Sequence, residues 1–122
     1  MVKSSVSKMN NLELGKYGEA LAAKFLKKNK HKILEQNAKL KTGEIDIIAF
    51  DKADNCICFI EVKTRIGDSF GLPREAVGKE RQHRYKNAAI SYLKMRKLIN
   101  SKTRFDVIEI LDGDIIHIKN AF

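Results

Sequence analysis

The residues best placed to do chemistry are Glu44, Asp46, Glu61 and Lys63, which lie at the charged ends of two short apolar runs. The order is Asp46, fourteen intervening residues, then Glu61-Val62-Lys63. Carboxylates from two neighbouring strands suit Mg2+ or Mn2+, which prefer oxygen ligands and keep several waters for substrate phosphates. A lysine two residues after one carboxylate would stand beside a metal-bound water, where it can orient a nucleophile, take its proton or steady charge on phosphorus.

Two elements must position these groups. In Gly43-Glu44-Ile45-Asp46-Ile47-Ile48-Ala49 a strand puts Glu44, Asp46 and Ile48 on one face and Ile45, Ile47 and Ala49 on the other. In Cys56-Ile57-Cys58-Phe59-Ile60-Glu61-Val62-Lys63 the same period puts Glu61 and Lys63 together. The polar turn Asp51-Lys52-Ala53-Asp54-Asn55 joins the runs as an antiparallel hairpin. With Phe50 opposite Ile57, Asp46 faces Glu61 and Glu44 faces Lys63. Like charges directly across a strand pair are destabilising, so Asp46 facing Glu61 is a conflict that a divalent cation removes. The competing reading is an exposed sheet face of mixed charge.

The remaining elements follow from periodicity. Met1 to Asn10 is a polar, basic tail expected to be loose, and residues 11–122 read as a single domain. Leu14, Gly18, Leu21, Ala22 and Phe25 recur at spacings of three and four, which predicts a helix over about Asn11 to Lys30 with Asn11 as its cap. Glu19 falls at the edge of that stripe beside Leu26, between the small residues Gly15 and Ala22, and is either a site carboxylate or an ordinary edge residue. A strand follows over Lys32 to Leu40. Thr64 to Arg74, with Gly67, Gly71 and Pro73, reads as a loop that a substrate would pass. A second helix over about Gly78 to Leu98 buries Tyr85, Ala88, Ala89, Tyr92 and Leu93, and two closing strands meet at Asp112-Gly113-Asp114. The order is helix, three strands, helix, two strands: a mixed α/β sheet with helices on its faces, parallel where the second helix crosses.

At 122 residues and 43% hydrophobic content the chain can bury a core without staples. No apolar run approaches a membrane span, and no signal core opens the chain, so a cytoplasmic location is expected. Cys56 and Cys58 lack Cys or His neighbours in sequence and read as reduced core residues. His31, His83 and His117 are expected far apart, which leaves covalent nucleophilic catalysis unsupported. The formal charge is +9, and ten of the basic residues against two acidic ones lie between Arg74 and Arg104. Such a field favours polyanions. Lys79, Arg81, Arg84 and Lys86 crowd the first half of the second helix, the wrong end for its dipole, which points to ligand contact; Arg65 lies in the loop after the third strand.

Four blocks, Gly43 to Ala49, Phe59-Ile60-Glu61-Val62-Lys63-Thr64-Arg65, Phe70-Gly71 and Arg104-Phe105-Asp106-Val107, resemble the signatures of the YraN-type family. That family belongs to the PD-(D/E)XK nuclease superfamily, near the archaeal Holliday-junction resolvases, and the resemblance runs from about Leu14 to Phe122. It implies a restriction-endonuclease-like α/β core, with Asp46 and Glu61 as metal ligands, the Val62 carbonyl as a third and Lys63 as the catalytic lysine. Glu19 corresponds to the acidic residue the first helix often contributes. Some superfamily nucleases carry a Gln and a Tyr four apart in the second helix, whereas here Gln82 is followed by Lys86. The expectation is a Mg2+- or Mn2+-dependent endonuclease acting on DNA, with branched or structured DNA as implied substrates and RNA left open. Junction cleavage needs two sites on opposed strands, hence a homodimer. The rivals are a non-cleaving nucleic-acid-binding module of the same fold and a protein-interaction factor with a basic face.

Overall fold

Asn10 and Glu13 begin the first helix by a reciprocal capping box: Glu13 N–H donates to Asn10 Oδ1 at 2.8 Å and Asn10 N–H to Glu13 Oε1 at 3.0 Å. The cap is therefore Asn10 and not Asn11, because only at that spacing can the glutamate reach back. A computed structural model describes residues 9–66 and 78–122, and most of the expected tail and of the expected loop lies outside them.

In chain order the elements are α1 (Asn11–Lys28), β1 (His31–Leu40), β2 (Gly43–Asp51), β3 (Cys56–Arg65), α2 (Lys79–Met95), β4 (Thr103–Leu111) and β5 (Asp114–Ile118). Thr64 and Arg65, expected in a loop, continue β3 because β4 pairs with them as far as Arg65↔Leu111. The sheet order is β1-β2-β3-β4-β5. Only β3 and β4 are parallel, joined by the crossover that contains α2. Asp112 and Gly113, both at positive φ, close the β4–β5 hairpin in two residues.

Each helix covers one face. α1 packs Ala22, Ala23 and Leu26 on Ile47, Ala49, Cys58, Ile60 and Ile108. α2 packs Tyr85, Ala88, Ala89, Tyr92 and Leu93, the stripe expected from sequence, on Ile45, Ile48, Ile57 and Phe59. β3 is buried from Cys56 to Glu61, as a central strand covered on both sides must be. Gly18 sets the depth of α1: a Cβ there would lie 1.7 Å from Thr64 Oγ1, so only glycine lets the helix rest on β3. Among the described residues no helix is long and apolar enough to cross a membrane.

Ile45 departs from the expected alternation, since it packs with Ile48 on the α2 face and not with Ile47. The cause is where the β2–β3 ladder stops. It runs from Asp51↔Cys56 through Phe50↔Ile57 to Ile47↔Ile60, the anticipated register, and goes no further. Beyond Ile47, β2 follows β1 alone, with Ala38↔Ile45 and Lys39↔Glu44, and twists away from β3. Glu44 therefore does not face Lys63, which instead stands beside Glu109 of β4.

Candidate metal site at the fork between β2 and β3

The strands separate at Asp46 and Glu61, and side chains replace the missing backbone ladder. Val62 N–H donates to Asp46 Oδ2 at 2.9 Å, and Asp46 N–H donates to the Tyr85 hydroxyl at 3.2 Å. These bonds satisfy backbone groups that the fork would otherwise leave open inside the protein. They also hold the Asp46 carboxylate against the Val62 peptide. It is the Val62 N–H that meets Asp46, whereas the resemblance implies a role for the Val62 carbonyl.

Glu61 is buried on the α2 side of β3. Its Oε2 meets Arg81 Nε at 2.6 Å, while its Oε1 is buried with no hydrogen-bond partner among the described residues. Glu19 approaches from α1 and shares with Asp46, Glu44, Asn37 and Lys39 a cavity of about 370 Å³. Burial raises the pKa of all three carboxyl groups above their ordinary values. Mutual repulsion adds to this: Asp46 raises Glu19 and also Glu61. Val62 N–H and Arg81 oppose the rise at Asp46, and Arg81 and Lys63 oppose it at Glu61. A buried carboxylate oxygen without a donor, next to two further carboxyl groups in mutual conflict, fits an oxygen-liganded divalent cation. Asp46 is the link between the other two, since it raises the pKa of both Glu19 and Glu61, but the three carboxylates are not among the described residues whose ligand atoms all lie within 4.8 Å of one another.

Lys63 sits on the same face of β3 as Glu61, two residues on and half-buried. Tyr85, read from the sequence only as a core residue, and Glu109, not read as a site residue, complete the surroundings. Tyr85, nearly fully buried on α2, anchors the Asp46 backbone. Glu109, fully buried and alongside Lys63 in the β3–β4 register, lies 3.5 Å from Arg65 Nε. The parallel pairing of β4 was expected, and a glutamate at that position in a run of apolar residues was the available signal.

The expected nucleic-acid contacts divide. Arg65 is turned to Glu109, Arg81 to Glu61, and Arg84 Nη1 to Glu80 Oε1 at 3.2 Å. Lys79 and Lys86 are exposed on α2. Arg81 and Arg84 nonetheless line a small cavity of about 190 Å³ with Gly43, Glu44 and Tyr85, immediately beside the fork.

At the opposite end of the sheet the Arg104-Phe105-Asp106-Val107 block forms a buried ionic network. Arg104 donates to Asp106 from Nε and Nη2 at 2.9 Å each, and from Nη1 to Asp51 and Asp54 at 3.0 Å each. His117 Nε2 lies 2.8 Å from Asp106 Oδ2. Asp51, expected in an exposed turn, is buried and ends β2; Arg104 and the Asp54 and Ala53 amides outweigh its burial and hold its pKa at about 2. His31 and His117, expected far apart, are 5.7 Å apart ring to ring, and the Phe25 ring of α1 lies edge-on to His117 at 6.0 Å.

The model of a family described as "Uncharacterised protein family UPF0102" matches residues 18–110. A UPF0102 protein of Clostridium perfringens (strain SM101 / Type A) is 53% identical over 103 residues, covering 84% of this chain and 83% of its own. Those of Geotalea daltonii and Thermodesulfovibrio yellowstonii are 45% and 47% identical, covering 94% and 93% of this chain and 93% and 99% of their own. Among solved structures, Pyrococcus furiosus SfsA in complex with Ca2+ aligns with 90% of this chain at 11% identity and a TM-score of 0.37. This chain spans 64% of that structure, and so low a score carries no argument about function.

Proposed function

The chain belongs to the UPF0102 family, and from the chemistry of its β2–β3 fork we propose that it is a metal-dependent endonuclease of the PD-(D/E)XK kind, hydrolysing DNA phosphodiesters. The observation that carries this reading is Glu61, whose Oε1 is buried without a hydrogen-bond donor next to Asp46 and within reach of Lys63. A buried carboxylate oxygen left without a donor calls for an explanation, and a bound cation supplies one.

Asp46 and Glu61 would hold Mg2+ or Mn2+, with the Val62 carbonyl as a further oxygen and Glu19 acting through water. Such a cation, when bound, acidifies a water and neutralises charge on the scissile phosphate. The chain's own residues do the rest. Val62 N–H and the Tyr85 hydroxyl fix Asp46 in advance, so no reorganisation is needed when substrate arrives. Lys63 would hold or deliver a proton at the attacking oxygen. Arg81 neutralises Glu61, and its half-exposed guanidinium would be within reach of a substrate phosphate. Lys79, Arg84 and Lys86 extend the basic surface away from the fork, with Arg65 behind Lys63.

The test is a cleavage panel of linear, flapped and four-way DNA with Mg2+ and Mn2+, using wild type and Glu61→Gln. Metal-dependent cleavage lost in Glu61→Gln is expected. Preference for four-way DNA together with a two-fold dimer in solution would extend the reading to junction resolution. Binding without cleavage would leave a nucleic-acid-binding module, and neither would leave the basic face to a protein partner.

A further inference from the structure

About 17 Å along β2 from the fork, taking ~3.4 Å per residue, three strand ends converge. His31 opens β1 opposite Asp51 at the end of β2, and Asp51 in turn stands opposite Cys56 at the start of β3. His31 Nδ1 is 2.8 Å from the Asn29 carbonyl oxygen. A carbonyl only accepts, so Nδ1 carries the proton and Nε2 turns its lone pair inward. Nε2 is buried, has no hydrogen-bond partner among the described residues, and lies 3.5 Å from Asp51 Oδ2. Two acceptors thus face each other inside the protein, where burial also disfavours protonating the ring. Cys58 Sγ completes a group whose ligand atoms all lie within 4.8 Å of one another. Cys56 Sγ is a further 4.0 Å from Cys58 Sγ.

We propose that His31 Nε2, Asp51 Oδ2 and Cys58 Sγ, with Cys56 Sγ as fourth donor, form a second metal site that takes Zn2+. Zinc bonds of ~2.0 to 2.3 Å separate tetrahedral donors by roughly 3.3 to 3.8 Å, so His31, Asp51 and Cys58, within 4.8 Å of one another, need only small side-chain adjustments, and Cys56 would be drawn in from beside Cys58. Thiolate and imidazole select Zn2+ over the Mg2+ or Mn2+ suited to the carboxylate fork. The Asn29 carbonyl plays the orienting part that a backbone acceptor commonly plays behind a zinc-bound histidine. Asp51 has other partners: Oδ1 accepts from the Ala53 and Asp54 amides, and Oδ2 from Arg104 Nη1 at 3.0 Å with Lys119 Nζ at 3.7 Å. Those cations are compatible with the ion. Two thiolates and one carboxylate outweigh a dication by one negative charge, and each thiol loses its proton to solvent as its sulfur binds. The closed, buried donor set makes the site structural, stapling β1 to the β2–β3 hairpin. Linear spacing does not reveal it, because the imidazole comes from 25 residues upstream of Cys56.

The experiment titrates the full chain, reduced and stripped of metal, with Co2+ as an optical stand-in and then with Zn2+. One equivalent of Co2+ should produce a thiolate-to-cobalt charge-transfer band and the strong visible bands of a tetrahedral ion, and one equivalent of Zn2+ should abolish them. Cys58→Ala and His31→Gln, checked by circular dichroism for a retained fold, should each weaken Zn2+ binding at least about 10-fold, the scale of losing even an outer partner. Asp46→Asn should leave the bands unchanged, which separates this site from the fork. No charge-transfer band in wild type overturns the proposal. Bands that appear in Cys58→Ala at unchanged affinity, or that vanish in Asp46→Asn, overturn it equally.

Discussion

Replacing Gly18 by alanine tests whether the depth of α1 is what brings Glu19 to the site. Taken alone, Gly→Ala in a helix interior stabilises by about 1 kcal/mol. Here the added Cβ would lie 1.7 Å from Thr64 Oγ1 and 2.8 Å from Thr64 Cβ. A rotamer change relieves the first clash and not the second, so α1 must move off β3 by roughly an ångström. Overpacking of that kind costs typically 1–3 kcal/mol. The two effects leave a net loss of about 1 kcal/mol, or roughly 4 °C in melting temperature for a domain of this size. Glu19 follows Gly18 directly, so Mn2+ affinity measured by calorimetry should fall as well. Thermal melts of Gly18→Ala, Thr64→Gly and the double variant form a cycle, and the pair should couple favourably by about 1 kcal/mol as the space vacated by Thr64 Cβ and Oγ1 receives the methyl. A melting temperature that rises in Gly18→Ala, or a cycle that closes additively, would refute the reasoning.

Lys63→Ala should retain DNA affinity and Mn2+ binding while cutting the single-turnover cleavage rate by roughly 10²-fold or more, the scale of losing a positioned acid-base or electrostatic group. Mn2+ should raise the melting temperature of wild type by mass action and leave Asp46→Asn unmoved. Because the pKa values of Asp46 and Glu61 lie above the ordinary 3.8 and 4.5, protons should compete with Mn2+ and weaken its binding as the solution is acidified through that raised range. DNA affinity should fall steeply with salt, and Lys79→Ala with Lys86→Ala should reduce the log–log slope by up to ~0.9 for each duplex phosphate that is no longer neutralised. For Asp51 the folded pKa of about 2 lies below its ordinary 3.8, so its stabilising contribution is present above about pH 4 and is lost as pH falls toward 2. Asp51→Asn should remove that part of the acid transition in a circular-dichroism titration.

What the sequence determined by itself is local in origin. Helical and strand periods place the seven elements in order, and α2's buried stripe from Tyr85 to Leu93 follows from spacing alone. The β2–β3 hairpin also depends on near neighbours, so pairing Phe50 with Ile57 sufficed to bring Asp46 toward Glu61. Tertiary structure decided what depends on elements distant in the chain. That β2 would fork from β3 at Asp46, rather than carry Glu44 on to Lys63, follows from Tyr85 taking the Asp46 amide across 39 residues. Arg81 on Glu61, Glu109 beside Lys63 and Gly18 against Thr64 likewise require helices and strands to be docked before any of these pairs can meet. The same holds for Asp51, read as a turn residue because a charged side chain after an apolar run ordinarily meets water. Its burial is stable only because Arg104, from 53 residues further on, supplies the opposite charge, and no local pattern can register a partner that folding alone delivers.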